Sequence, residues 1–251
     1  MSLTAKLVLS PLLVAQALRT RAKLPVLPEA AGERHGEAGD GPLMRLLITG
    51  DSSAAGVGVV HQRHALAGQL VKELAARTQH RVQWRLLARS GLNTAQTLQL
   101  LRHENLAAAH AHFDIAVVVT GVNDVVDQVP SQRAVALREA LANTLRNGLG
   151  VAHVVFAPLP PVHLFPGLPQ PLRWVAGTDA RRHDRALRDW AATRDDVSRL
   201  DIELPLNPGV MADDGFHPGA PVYRLCGHAI AQHIAQAVWP RVAAAQHAAR
   251  P

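Results

Sequence analysis

The sequence predicts an α/β fold: a three-layer doubly wound sandwich around a mostly parallel sheet of about five strands, flavodoxin-like in kind. Three observations carry that expectation. From Leu43 onward, short apolar runs alternate with longer helical patterns. Two of the runs, Ile115 to Val119 and Val151 to Phe156, are continuously apolar, as strands buried on both faces are. Residues able to do chemistry recur just after the runs, at the carboxyl ends where open parallel sheets bind ligands. With 251 residues, 48% of them hydrophobic, the chain has material for one large core.

The elements follow in order. Residues 1–42 are read as an N-terminal apolar segment and linker, and 43–251 as the domain. Lys6 precedes the apolar Leu7 to Val14, which contains Pro11 and is too short to span a bilayer, where ~20 apolar residues are needed. Residues 7–18 are therefore expected to form an uncleaved helix that packs on the domain or makes peripheral contact with a membrane. The alternative is a signal peptide ending near Ala15-Gln16-Ala17. The first reading puts the protein in the cytoplasm or at a membrane surface, the second in a secreted or periplasmic location. Pro25 to Pro42 is rich in Pro, Gly and charge, and reads as a linker or wrapping arm.

Leu43 to Thr49 is the first strand, and Leu66, Leu70 and Leu74 mark one stripe of the helix after it. Val82, Trp84 and Leu86 alternate with Gln83 and Arg85, which predicts a half-exposed edge strand. Ile115 to Val119 and Val151 to Phe156 belong in the middle of the sheet. Between them Ser131 is a candidate N-cap, Ala134, Leu137, Leu141 and Leu145 form a stripe, and Asn147-Gly148 is the expected stop. A helix carrying Leu187 and Trp190, a short strand Val197 to Asp201 and a closing helix from Val222 to Val238 complete the pattern. Cys226 lies on the apolar stripe of that last helix, so it reads as a small buried hydrophobe.

Charge and cysteine exclude several classes. Lys and Arg outnumber Asp and Glu by 26 to 20, a net +6. The cations are interleaved with acids, as in Arg181-Arg182-His183-Asp184-Arg185, and aromatics are only 4%, so no nucleic-acid partner is expected. A single cysteine permits no intrachain disulfide. His103-Glu104 has Ala107 where a zinc-protease helix needs its second His, and the pairs His61 and His64, His110 and His112, and His228 and His233 fit surface positions better than ligand sets. Neither a metal nor a cofactor is expected. Gly50 to Gly58 lacks the Gly-Lys-Ser/Thr ending of a phosphate loop.

What remains is a serine, a histidine and a carboxylate. Gly50-Asp51-Ser52 closes the first strand, and Asp214-Gly215-Phe216-His217 lies near the far end of the chain. A serine hydroxyl becomes nucleophilic when an imidazole takes its proton, and a carboxylate fixes the imidazole tautomer. Each residue has a plainer reading: Ser52 as a helix cap, Gly91 as a turn residue, Asn123-Asp124 as an Asx turn, and Asp214 and His217 as stabilisers of a turn before Pro218.

Taken together, Gly50-Asp51-Ser52, Gly91, Gly121-Val122-Asn123-Asp124 and Asp214-Gly215-Phe216-His217 resemble the blocks of the SGNH hydrolase family, also called GDSL esterases and lipases. The likeness runs roughly from Leu43 to Val238. It implies Ser52 as nucleophile, His217 as base and Asp214 as its orienting acid. It also implies an oxyanion hole of the Ser52 N–H, the Gly91 N–H and the Asn123 amide. The expected function is hydrolysis of small acyl esters through an acyl-Ser52 intermediate, with activity rising across the ordinary imidazole range, ~6.5. A thioesterase, lysophospholipase, carbohydrate acetyl-esterase or acyltransferase with the same site, or a non-catalytic lipid- or carbohydrate-binding relative, are the alternatives. Ser53 stands where the family pattern has Leu, which leaves two hydroxyls to choose between. The Pro-rich stretch Pro158 to Pro171 is expected either to wall the acyl pocket with Phe165 and Leu168 or to pack as a surface loop.

Overall fold

The computed structural model describes residues 3–104 and 111–248, with side chains from residue 9 onward. Its elements are α1 (Leu3–Lys23), β1 (His35–Ala38), β2 (Leu43–Gly50), α2 (Ser52–Ala55), α3 (Leu66–Thr78), β3 (Arg81–Ala88), α4 (Thr94–His103), β4 (Ile115–Val119) and α5 (Val122–Val126). They continue with α6 (Ser131–Leu149), β5 (His153–Phe156), α7 (Leu172–Ala191), β6 (Val197–Arg199), α8 (Ala220–His233) and α9 (Trp239–Ala248), the last two joined by a π-helical turn.

The sheet has six strands in the order β1-β3-β2-β4-β5-β6, parallel except for β1. Without β1 this is the flavodoxin-like doubly wound order, whose switch point lies between β2 and β4. The sixth strand comes from the stretch read as a linker: His35 to Ala38 pairs antiparallel with Ala38 opposite Val82 and His35 opposite Arg85. That pairing corrects the expected edge. β3 is bonded on both sides, and its alternation of exposed and buried residues reflects a short, polar neighbour rather than open solvent.

Side chains of β2 alternate between two cores. Leu47 joins Val118, Phe156, Leu141 and Leu187 under α4, α6 and α7, while Leu46 and Ile48 join Leu70, Leu74, Ile230 and Ile234 under α3 and α8. Helix limits differ from expectation at α6. Pro130, not Ser131, stands at its N-cap, with no side-chain hydrogen bond, and the helix runs past Asn147-Gly148 to a left-handed Gly150 (φ +66°). Cys226 packs against both cores, and burial pushes its thiol up to about 12.

The arm before the sheet also wraps. Ala31 bridges to His61, and the Arg34 guanidinium donates to the Ala88 carbonyl at 2.7 Å. α1 rests on the start of α7 through Gln16, whose amide donates to the Gln170 carbonyl (2.6 Å) and accepts the Leu172 N–H (3.0 Å). Among the described residues no helix is long and apolar enough to cross a membrane.

The register sets up the site. Gly50, Ala88 and Val119 share one row across β2, β3 and β4, so the chain leaves all three strands at one level.

Candidate active site

At the end of β2 the chain must pass close to β4. A Cβ on Gly50 would lie 2.0 Å from the Val119 carbonyl oxygen, so only glycine fits (φ +151°). Asp51 then donates its N–H to the same carbonyl (3.0 Å) and starts α2, its Oδ1 accepting the Ser53 N–H at 2.9 Å. Asp51 is thus the cap, and Ser52, the alternative candidate for that task, is the first residue of the helix with its side chain free for other work. Burial pushes the Asp51 carboxyl up from 3.8 to about 7, against the hydrogen bond from Ser53 and the His217 charge.

At the other end of the chain, Gly215 (φ +60°) folds Asp214 and His217 into one tight turn. Asp214 Oδ1 accepts both the Phe216 and His217 N–H groups at 2.9 Å, and its Oδ2 meets His217 Nδ1 at 2.6 Å. Burial opposes ionisation of Asp214. The hydrogen bonds from the His217 ring and from the two amides outweigh it and hold the carboxyl below its ordinary value. With Nδ1–H committed to a carboxylate, Nε2 is left as the accepting nitrogen. That atom lies 3.1 Å from Ser52 Oγ. Between the two hydroxyls left open by the sequence, Ser52 meets the imidazole, while Ser53 lines the adjoining pocket.

The remaining predicted residues converge on the same level. Gly91 takes the third position of the turn Arg89 to Leu92 with φ +83°, so the turn reading holds for its backbone. It is exposed, and the neighbouring Ser90 N–H is gripped by Glu29 Oε1 at 2.6 Å. Asn123 does not form an isolated Asx turn: its Nδ2 donates to the Leu92 carbonyl (2.9 Å), tying the loop after β4 to the loop after β3. Asp124 strengthens the tie by accepting from Thr94 N–H (3.0 Å) and Thr94 Oγ1 (2.6 Å), and buried Arg138 lies 3.2 Å from its Oδ2. Asn93 adds a hydrogen bond to Asp127 at 2.7 Å while capping α4 with Gln96.

Beside Ser52 and His217 lies an apolar pocket. Phe165, from the Pro-rich stretch, forms part of its wall and stacks edge-on against Phe216, centroids 5.2 Å apart. Leu168 does not line it; with only 9% exposure it is packed in the core on that side, and its N–H bonds back to Phe165. Further lining that the sequence does not single out comes after β6: Ile202, Leu204 and Leu206 from irregular chain, and Met211, which bridges to Pro218. The period-two spacing of Ile202, Leu204 and Leu206 against Glu203 and Pro205 is the available signal. No group of three His, Cys, Asp or Glu among the described residues could hold a metal ion. Of the paired histidines, His61 caps a short 3₁₀ turn, His228 sits between Arg77 and Glu73, His233 bonds Ser198, and His110 lies outside the described residues.

The profile of the GDSL-like lipase/acylhydrolase family matches residues 48–225, from the end of β2 into α8. The chain belongs to that family. Its fold is likewise similar to solved members and relatives. A lipase from a goat rumen metagenome superposes with a TM-score of 0.62 at 16% identity, covering 77% of this chain and 97% of the other. A lipolytic protein of the G-D-S-L family from Veillonella parvula gives 0.59 at 15%, covering 77% and 99%. An acetylxylan esterase from Geobacillus stearothermophilus gives 0.58 at 17%, covering 78% and 95%. No curated protein matches the chain.

Proposed function

We propose that this GDSL-family protein is a serine esterase that hydrolyses carboxylic esters through an acyl-Ser52 intermediate. One observation carries the reading: Asp214 Oδ2, His217 Nδ1, His217 Nε2 and Ser52 Oγ form a continuous chain of contacts, 2.6 Å and 3.1 Å, that opens beside an apolar pocket. In the proposed cycle His217 Nε2 takes the Ser52 Oγ proton as Oγ bonds to the acyl carbon. The carbonyl electron pair moves onto oxygen, where the N–H groups of Ser52 and Gly91 and the Asn123 amide stabilise it. When the carbonyl re-forms, the ester C–O bond breaks and the leaving alkoxide takes the proton from Nε2. Water then repeats the sequence on the acyl-serine and releases the acid.

Asp214 keeps Nδ1–H in place and stabilises the imidazolium that forms at each transfer. Apolar walls suit an acyl chain, and lipase and esterase names among the similar folds agree with an ester bond as target. Thioester cleavage and acyl transfer to an alcohol would use the same groups, so a panel of esters and thioesters, with and without an acceptor alcohol, ranks them.

The test is covalent labelling with a fluorophosphonate and location of the adduct by peptide mass. Labelling is expected at Ser52, absent in Ser52→Ala and strongly slowed in His217→Ala. A folded wild-type protein that takes no label, or takes it at Ser53, sinks the proposal.

A further inference from the structure

Helix α1 keeps large apolar side chains on its solvent side. Leu9, Leu13, Gln16 and Thr20 fall on one helical face and are partly covered, and Gln16 anchors that face to Gln170 and Leu172. The opposite face carries Pro11, Val14, Ala15, Leu18 and Ala22, all exposed. Val14 and Leu18 are 58% and 65% exposed, with Leu12 on the flank at 48%. A helix packed on a globular body ordinarily shows solvent its charged side chains, so the outer face here is inverted.

Charge lies along the margins of that stripe. At 100° per residue Arg21 falls to one side, Arg19 and Lys23 to the other, and all three are exposed. Residues 1–28 contain no Asp or Glu at all. A second copy laid parallel on the stripe would set these cations against their own counterparts, and one laid antiparallel would offer them no carboxylate, since the segment holds none. An anionic bilayer accepts both parts of the pattern. The apolar stripe enters the headgroup boundary while the flanking Lys and Arg reach lipid phosphates.

We propose that α1 is an interfacial helix that docks the protein on anionic lipid surfaces. Gln16 grips the segment five and seven residues beyond Phe165 of the pocket wall, so docking ties that wall to the membrane-facing helix. Resting on the esterase reading, this directs the site toward acyl esters presented in a lipid surface rather than free in water.

The test is flotation of the full chain, as Ser52→Ala to prevent turnover, with vesicles of phosphatidylcholine alone and of phosphatidylcholine with phosphatidylglycerol. Binding to the anionic vesicles is expected to exceed binding to neutral ones at least tenfold at about 0.1 M salt. Arg19→Gln, Arg21→Gln and Lys23→Gln together should lower it on the order of a hundredfold. In the wild-type background Val14→Gln with Leu18→Gln should remove flotation and hydrolysis of vesicle-borne ester, yet leave hydrolysis of a water-soluble short ester and the circular dichroism unchanged. No flotation, flotation equal on both vesicles, or flotation undiminished by these variants overturns the proposal. A dimer split by Val14→Gln with Leu18→Gln does so as well, since a second copy is then the occupant. Flotation without hydrolysis of any ester sinks only the esterase reading.

Discussion

Asn123 has two amide hydrogens and, in the proposed mechanism, two tasks. One hydrogen is held by the Leu92 carbonyl at 2.9 Å, which orients the side chain, and the residue lines the pocket, where the second can meet a developing oxyanion. Asn123→Ala is expected to lower kcat ~100 to 1,000-fold with KM nearly unchanged, because the donor matters most in the transition state. Steady-state kinetics on a soluble ester, with the denaturation midpoint as control, checks this; a loss confined to KM argues against an oxyanion role. The sequence singles out Ser52 and Asn123 because each is a polar residue soon after an apolar strand, and the structure brings both to one pocket. The role of Asp51 is not legible. A Ser after a strand looks like a cap, and only the backbone angles show that Asp51 holds that position and frees Ser52. Leu168 packs in the core while its neighbour Phe165 lines the pocket, and nothing in a Pro-rich stretch lacking a period says which apolar side chain turns which way.

Among elements, the central strands and the short edge strand β6 are readable in the sequence, and the edge strand β1 is not. β2, β4 and β5 announce themselves by apolar runs that must be buried on both faces. β1 reads His-Gly-Glu-Ala, with no apolar pattern, because its place comes from backbone pairing to β3 rather than from side-chain burial. Between β5, β6 and α8 a polar link replaces apolar packing: His153 Nε2 bonds Ser198 Oγ (3.0 Å), which bonds His233 Nε2 (2.8 Å). Burial, then the charges of Arg241 and His233, push His153 down from 6.5 to about 4, while Asp196 and a bond to Asp195 act the other way. A histidine depressed in the folded state contributes stability that is present above pH 6.5 and is lost as pH falls through about 4. The expected loss is on the order of 3 kcal/mol, and His153→Gln should flatten it. Asp51 has the opposite sign, since its raised carboxyl favours the fold below pH 3.8 and loses that contribution as pH rises through about 7. The comparison of wild type with His153→Gln by urea denaturation at several pH values isolates the histidine, because Asp51 is common to both. Parallel pH profiles would remove His153 as the cause.

At the scale of the whole molecule, the loop that carries Gly91 and the short helix α5 that carries Asn123 are joined to the core by a buried ion pair. Arg138 on α6 and Asp124 on α5 are both 0% exposed, and Asp124 also receives both Thr94 donors at the head of α4. A buried arginine is not legible in a helix where other charged residues face solvent, and its Nε and Nη1 have no partner among the described residues. Burial pulls the guanidinium below its ordinary value, with Asp124 and Asp184 opposing. Removing only the cation by Arg138→Met leaves a carboxylate uncompensated in the interior and is expected to cost ~3–5 kcal/mol. Removing both charges in Arg138→Met with Asp124→Leu should recover much of that stability, since the desolvation of the pair disappears with it. Activity should not recover. Asp124 holds Thr94, and so the spacing of the loops after β3 and β4, through hydrogen bonds that no leucine can make. A double-mutant cycle read by both denaturation and kcat therefore separates the two roles: stability restored with kcat still depressed assigns the pair to loop positioning, whereas kcat returning with stability would make it a packing element only.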